Sequence, residues 1–198
     1  MPDNSQGDEK FNYGNEHPER GFSSTGSEEE LGDMHLSTEN YSVALEYYTK
    51  ALQRNVDTDS ESIVRIYRKI SDCYRKKGML SEAMAFLEDA ELNCEEDDDL
   101  SLAIIGCRRA IVLFDQNEVR EALREGCRAY RVLRITSRHQ EVAHTQLLIA
   151  NCYARMGESD KCEQFSLDAL SSYRRINDVV GESYVLNNLG LFHKNACR

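Results

Sequence analysis

Two histidines, His139 and His144, bracket the segment HQEVAH, the nearest approach in this chain to a zinc-protease helix. A single metal needs its two helical histidines at i and i+4, one above the other. Here they stand five apart and point to different sides of the helix, so structural or surface roles are expected. His17, His35 and His193 are scattered. The seven cysteines, at 73, 94, 107, 127, 152, 162 and 197, form no C-x-x-C pair, and most fall on apolar helix faces. That is the pattern of reduced, buried thiols with no neighbouring base to make a nucleophile. The acidic run 95–99 (EEDDD) lacks the alternating ligands and glycine of a calcium loop. It suits a helix start, where the dipole favours carboxylates. No G-x-G-x-x-G, P-loop or G-x-S-x-G occurs, so no enzyme, metal site or cofactor is expected. What remains is recognition by charge: Arg65, Arg68, Asp72 and Arg75 share about a quarter turn of one helix. Arg120, Arg124, Arg128 and Arg131 also recur at helical spacing, and there a solvated face paired with Glu121 and Glu125 is expected.

The elements that position these residues follow from residues 67–90, YRKISDCYRKKGMLSEAMAFLEDA. Ile63, Ile66, Tyr67, Ile70 and Tyr74 make the stripe of an amphipathic helix running to about Lys77. Gly78 supplies a positive-φ stop, and Ser81 with Glu82 reads as the next start. Ala83, Leu87 and Ala90 face the first helix as small, large, small, so the two helices form a close antiparallel hairpin. Ala44–Tyr48–Ala51, Ala122–Gly126–Ala129 and Cys162–Ser166–Ala169 repeat that spacing, their first residues 39, 39 and 40 positions apart. Gly32, Ser71, Ala110, Ala150 and Gly190 give a second ruler of 39, 39, 40 and 40. A fixed period of this size marks a stacked solenoid.

At these residues the chain resembles the tetratricopeptide repeat family, in its subset with periods near 40. Leu31-Gly32 and Leu189-Gly190 match the family's Leu-Gly pair, Tyr74 and Tyr153 its first-helix tyrosine, and Gly78 and Gly157 its inter-helix glycine. Tyr41, Ala44, Tyr48 and Ala51 match its second helix. The third repeat departs from the pattern: Asn117 replaces the glycine, Gly126 the large residue, and Arg109 an apolar one. The resemblance implies an all-α, right-handed superhelical solenoid of antiparallel helix hairpins, with about four and a half repeats. The repeats fall at about 28–55, 60–94, 98–135, 138–176 and, in part, 179–198, after a disordered polar tail at 1–27. The last helix carries the full repeat signature where natural arrays end in a polar cap, so a longer parent array is expected.

Composition agrees with this fold. Both prolines lie in the first twenty residues, leaving long helices uninterrupted. A net charge of −11 argues against nucleic acid, whose phosphates call for a basic face. The apolar runs are too short to span a membrane, and with the reduced thiols this points to a cytoplasmic protein. The resemblance implies that first helices line a concave groove binding a protein or peptide partner. Its wall would carry Arg65, Arg68, Asp72 and Arg75, then Ile104, Cys107, Ile111 and Phe114. His144, Leu147, Asn151 and Arg155 follow, then Tyr184, Asn187, Leu191 and Lys194. Such a wall suits a peptide with acidic and apolar residues. Arginines would hold carboxylates, Phe114 an apolar anchor and asparagines the backbone. The alternative is that Ile104, Ile111 and Phe114 are core in a shifted register. Either a free-standing scaffold or a sensory, regulatory module of a larger signalling or transcription-control protein fits the sequence.

Overall fold

A computed structural model describes residues 27–54 and 60–196, with side chains placed through Phe192. The tail expected at 1–27 lies outside the described residues except for Ser27. Among them are nine α-helices and no strand. They are α1 (Glu28–Ser37), α2 (Tyr41–Arg54), α3 (Ser60–Lys76), α4 (Leu80–Leu92) and α5 (Asp99–Asp115). Then come α6 (Val119–Leu133), α7 (His139–Met156), α8 (Ser159–Arg175) and α9 (Val179–Ala196).

Local chemistry sets the ends. At Ser27 a capping box starts α1: its hydroxyl accepts from the Glu30 N–H at 3.3 Å, and the Glu30 carboxylate accepts from the Ser27 N–H at 2.9 Å. Each hairpin turns on one left-handed residue: Glu39 (φ 60°), Gly78 (78°), Asn117 (68°) and Gly157 (78°). The next N–H then reaches back five residues, Asn40 to His35, Met79 to Tyr74, Glu118 to Leu113 and Glu158 to Tyr153, at 2.8–3.0 Å. This is the Schellman closure. The four positions are 39, 39 and 40 apart, a third ruler. Asn177 (φ 55°) makes the same turn between α8 and α9.

The turn explains why Ser81 does not start α4. The backbone closure fixes Met79 as the N-cap, with no side-chain bond, and Ser81 lies inside the helix. Glu118, Arg138 and Glu158 are likewise caps without side-chain bonds. The acidic run behaves as a helix start, with Asp98 Oδ1 accepting the Ser101 N–H at 2.9 Å.

Within each hairpin the second helix packs back on the first, and α3, α5, α7 and α9 also touch in sequence. The second helices make no comparable contact among themselves, so the first helices form an inner wall. Apolar side chains gather in five separate clusters filed along the stack. On α3 the buried residues are Val64, Ile66, Ile70, Ser71 and Cys73, while Tyr67 and Tyr74 are half-buried. The buried arc is wider than one stripe because α2, α4 and α5 all pack on this helix.

The small residues sit where helices come closest. Gly32 lies under the Tyr48 ring, which any Cβ there would overlap. Ser71 donates its hydroxyl to the Ala83 carbonyl at 2.8 Å, and Ala110 and Ala150 are buried. At Gly126 the missing large side chain is replaced from the neighbouring hairpin. A Cβ there would stand 3.5 Å from Ile149 and Leu148 of α7. Arg109, out of place in an apolar stripe, reaches outward to pair with Glu91.

Ala83 is fully buried, so Ala83→Leu overpacks the α3–α4 contact and lowers unfolding free energy by about 1–3 kcal/mol in a denaturant melt. At the turns, Gly78→Ala forces an L side chain into the left-handed region and costs about 1 kcal/mol in the same assay. Asn117→Gly, where the native residue already tolerates that region, changes stability by at most about half as much.

Candidate functional site

The inner wall divides into two parts. Across its first half, charged residues one repeat apart tie neighbouring first helices together. Arg65 Nε donates to Glu29 at 2.8 Å, and Lys69 bridges Glu29 and Asp33, each at 2.7 Å. Asp33 also accepts from the buried Tyr48 hydroxyl at 2.7 Å. Arg108 pairs with Asp72 at 3.2 Å, and Arg75 with Asp115 at 3.0 Å. Burial raises the Glu29 pKa, but bonds from Arg65 and Lys69 outweigh it and hold the carboxyl below its ordinary value. Asp72, with burial opposing it, holds the Arg108 guanidinium above its ordinary value. The basic wall read from the sequence is therefore largely neutralised from within.

Arg68 is the exception. Its Nη1 is buried and has no hydrogen-bond partner among the described residues. Burial, together with Arg108 and Arg138, pulls its pKa below the usual guanidinium value. It borders a cavity of about 200 Å³ with Glu61, Asp98, Ser101, Ile104 and Arg138.

The middle of the wall is core. Ile104 and Cys107 are 5% and 3% exposed and pack with Ala129, Leu133 and Val142. They present almost no surface to a ligand, which corrects their placement on an open wall. The neighbouring hairpin covers them: Cys107 Sγ lies 3.0 Å from Thr145 Oγ1 of α7. Ile111 is half-buried against the same packing, and Leu147 is half-buried against Ala143, Ala169 and Leu170.

The second half opens into a cavity of about 560 Å³ between α5, α7, α8 and α9. Phe114, Asn151, Arg155 and Leu191, placed on one wall by the family resemblance together with helical spacing, do meet here. The Arg155 guanidinium lies over the Phe114 ring at 4.1 Å and donates to Asn117 Oδ1 at 2.9 Å. Asn188 donates its amide to Asn151 at 3.0 Å. Ser159, Cys162, Ser166 and Phe192 complete the lining. Asn187 and Tyr184 are exposed outside the cavity, and the Lys194 side chain lies outside the described residues. Sequence reasoning picked Asn187 and missed its neighbour Asn188. The 37-residue step from Asn151 to Asn188 resembles the 36-residue steps from Glu29 to Arg65 and from Asp72 to Arg108, about one turn short of the repeat period.

Residues 29–56 match the family model for the tetratricopeptide repeat. The fold is a tetratricopeptide-type solenoid. Three solved structures of that kind align with it. BtubC from P. vanneervenii is 20% identical with a TM-score of 0.69, over 85% of this chain and 71% of that one. A signal-transduction ATPase with a tetratricopeptide repeat sensor, from Pyrococcus horikoshii, is 16% identical with a TM-score of 0.70, over 85% and 26% of the two chains. A Rap protein complexed with competence and sporulation factor is 16% identical with a TM-score of 0.65, over 84% and 49%. This chain thus spans about a quarter of the second and half of the third. At these identities the likeness is one of fold. No curated protein matches by sequence.

Repeats of this type are generally protein–protein interaction modules. Among the described residues no group of three or more His, Cys, Asp or Glu could hold a metal. His139 is exposed, within 3.2 Å of Arg175, while His144 is half-buried beside the Tyr173 ring. Six cysteines are free and buried or half-buried, and burial pushes Cys73 and Cys152 up to about 12. Cys197 lies outside the described residues. Arg124 and Arg128 pair with Glu121 and Glu125 on the back face.

Burial, then Arg108, lowers the His144 pKa, outweighing Asp178, Glu141 and Asp72. The folded chain thus takes up its proton at lower pH than the unfolded one. The stability due to neutral His144 is complete above its ordinary pKa of 6.5 and is lost as pH falls below it. Between about pH 7.5 and 5.5 the wild-type Tm should fall more than that of His144→Gln, which takes no proton.

Proposed function

We propose that this chain is a non-enzymatic scaffold that receives a peptide segment of a partner protein along its inner wall. The observation that carries this is the 560 Å³ cavity, where an aromatic–guanidinium platform faces a pair of asparagine amides. Phe114 under Arg155 offers a flat apolar seat for an anchor side chain. Asn151 and Asn188 bond each other and retain donors and acceptors for a peptide backbone. Further along the wall, Arg68 keeps a buried Nη1 with no hydrogen-bond partner among the described residues, free for an acidic side chain. The preferred segment therefore has an apolar anchor near Phe114 and an acidic residue toward Arg68. A Rap protein of similar fold was solved in complex with competence and sporulation factor, which supports this reading.

A second reading has the array as the sensory or regulatory part of a larger signalling or transcription-control protein. The Pyrococcus horikoshii protein, whose repeats are a sensor joined to an ATPase, favours it. Both readings share one binding surface. Free thiols and the absence of a membrane-length apolar helix among the described residues fit a cytoplasmic setting. The net charge of −11 fits a protein partner better than nucleic acid.

Affinity capture with mass spectrometry, followed by peptide arrays of the captured proteins, identifies the segment. Phe114→Ala should weaken it about tenfold or more, and Arg68→Gln should weaken peptides with the acidic residue more than peptides lacking it. Arg124→Ala on the back face should leave binding unchanged. Peptides indifferent to Phe114→Ala would overturn the proposal.

A further inference from the structure

The third repeat lacks an aromatic plug that its neighbours carry. Phe86 of α4 stacks on Tyr74 at 5.2 Å, lies 6.1 Å from Tyr67, and packs against the core of the preceding hairpin. Two repeats later Phe165 of α8 stands 5.8 Å from Tyr153 of α7 and 6.1 Å from Tyr130 of α6. At the equivalent place in α6, 39 residues after Phe86 and 40 before Phe165, the chain has Glu125. Gly106 and Leu113 of α5 replace Tyr67 and Tyr74 of α3. No aromatic residue lines the groove between the second helices α4 and α6, and a cavity of about 270 Å³ opens there. Leu102, Ala103, Gly106, Ala129 and Val132 give it an apolar floor. The ion pairs Glu91–Arg109 and Glu125–Arg128 belong to the same lining.

A cavity of about 150 Å³ already admits benzene, so this one admits the ring of a phenylalanine or tyrosine. The Arg155 guanidinium over Phe114 shows this chain holding a ring on an arginine. Arg109 donates to Glu91 in its own plane and keeps a face for a second such stack. The surroundings select the charge of what carries the ring. Arg120, Arg124, Arg128 and Arg131 form the exposed crest of α6, opposite its buried Ala122, Gly126, Ala129 and Leu133. Residues 119–138 hold six arginines against two glutamates, in a chain of net charge −11. A short segment with one ring and acidic neighbours meets both floor and crest. A membrane or a nucleic acid would also press its phosphates onto Glu91 and Asp99, which line the groove.

We propose that the groove between α4 and α6 docks an acidic segment of a partner protein through one aromatic side chain. That ring takes the place that Phe86 and Phe165 hold in the neighbouring repeats. The groove lies between second helices, away from the inner wall, and does not depend on the peptide reading of that wall.

A fluorescein-labelled heptapeptide of glutamates around one central phenylalanine serves as the probe, titrated with the full chain to about 0.5 mM and read by anisotropy. Binding should saturate, weaken about tenfold or more when alanine replaces the phenylalanine, and fail when lysines replace the glutamates. Glu125→Phe restores the plug of the neighbouring repeats. It should keep the helical circular dichroism and weaken the probe about tenfold or more. Gly106→Met fills the groove from α5, where the nearest atom to an added Cβ is 3.8 Å away, and should act alike. Arg131→Glu should weaken the probe about threefold or more, with a smaller effect at high salt. Phe114→Ala on the inner wall should leave it unchanged. No saturation, binding indifferent to both fillings, or binding lost with Phe114→Ala would overturn the proposal. So would phosphatidylserine vesicles or single-stranded DNA binding more tightly than the probe, weakened by Arg131→Glu and not by the fillings.

Discussion

The structure depends on a turn of two residues. One residue in the left-handed region reverses the chain, and the next N–H closes on a carbonyl five residues back. So short a link leaves the following helix one course, antiparallel and in contact with its predecessor. Contact at that distance requires small residues, and Gly32, Ser71, Ala110 and Ala150 supply them. A hairpin so made hides only part of its apolar surface, and the remainder is met by the next hairpin. The wide buried arc of α3, facing three neighbours, is the outcome.

Stacking brings first helices together and charges of opposite sign face to face. These pairs are part-buried, and the water their charges give up offsets much of the attraction, so the ladder from Glu29 to Asp115 adds less stability than the apolar clusters beneath it. Its stronger effect is on register. Slipping one hairpin against the next would separate Arg65 from Glu29 and Arg108 from Asp72, leaving part-buried charges alone. The ladder also bears on recognition: partnered arginines must be released before they can hold a ligand, whereas Arg68 Nη1 has no hydrogen bond to give up among the described residues.

Much of the fold was legible because the same requirement recurs every 39 or 40 residues. The small–large–small triads, the capping box at Ser27 and the reduced cysteines could all be read directly. Asn117 stood in for a glycine, and its φ of 68° shows why it can. The site was less legible. The family resemblance, with helical spacing, put Phe114, Asn151 and Arg155 on one wall, where they meet. It also put Ile104 and Cys107 there, because spacing along one helix does not reveal how deeply the next hairpin covers it. The pairing of Arg75 with Asp115 and the choice of Asn188 over Asn187 are set by contacts between neighbouring helices, which no single-helix pattern encodes. Ser81 misled for a related reason: with the backbone already closed at Met79, its hydroxyl had no role to fill.

The five apolar clusters are joined in file and share no common centre. Such a chain behaves mechanically as a coiled spring, each turn bending against its neighbour with little resistance from farther turns. A segment lying across the openings between α5, α7 and α9 would brace several turns at once. Occupancy of the wall would then be transmitted along the axis as a change in stiffness and pitch, a mechanical signal that anything fastened to the array could sense without touching the ligand.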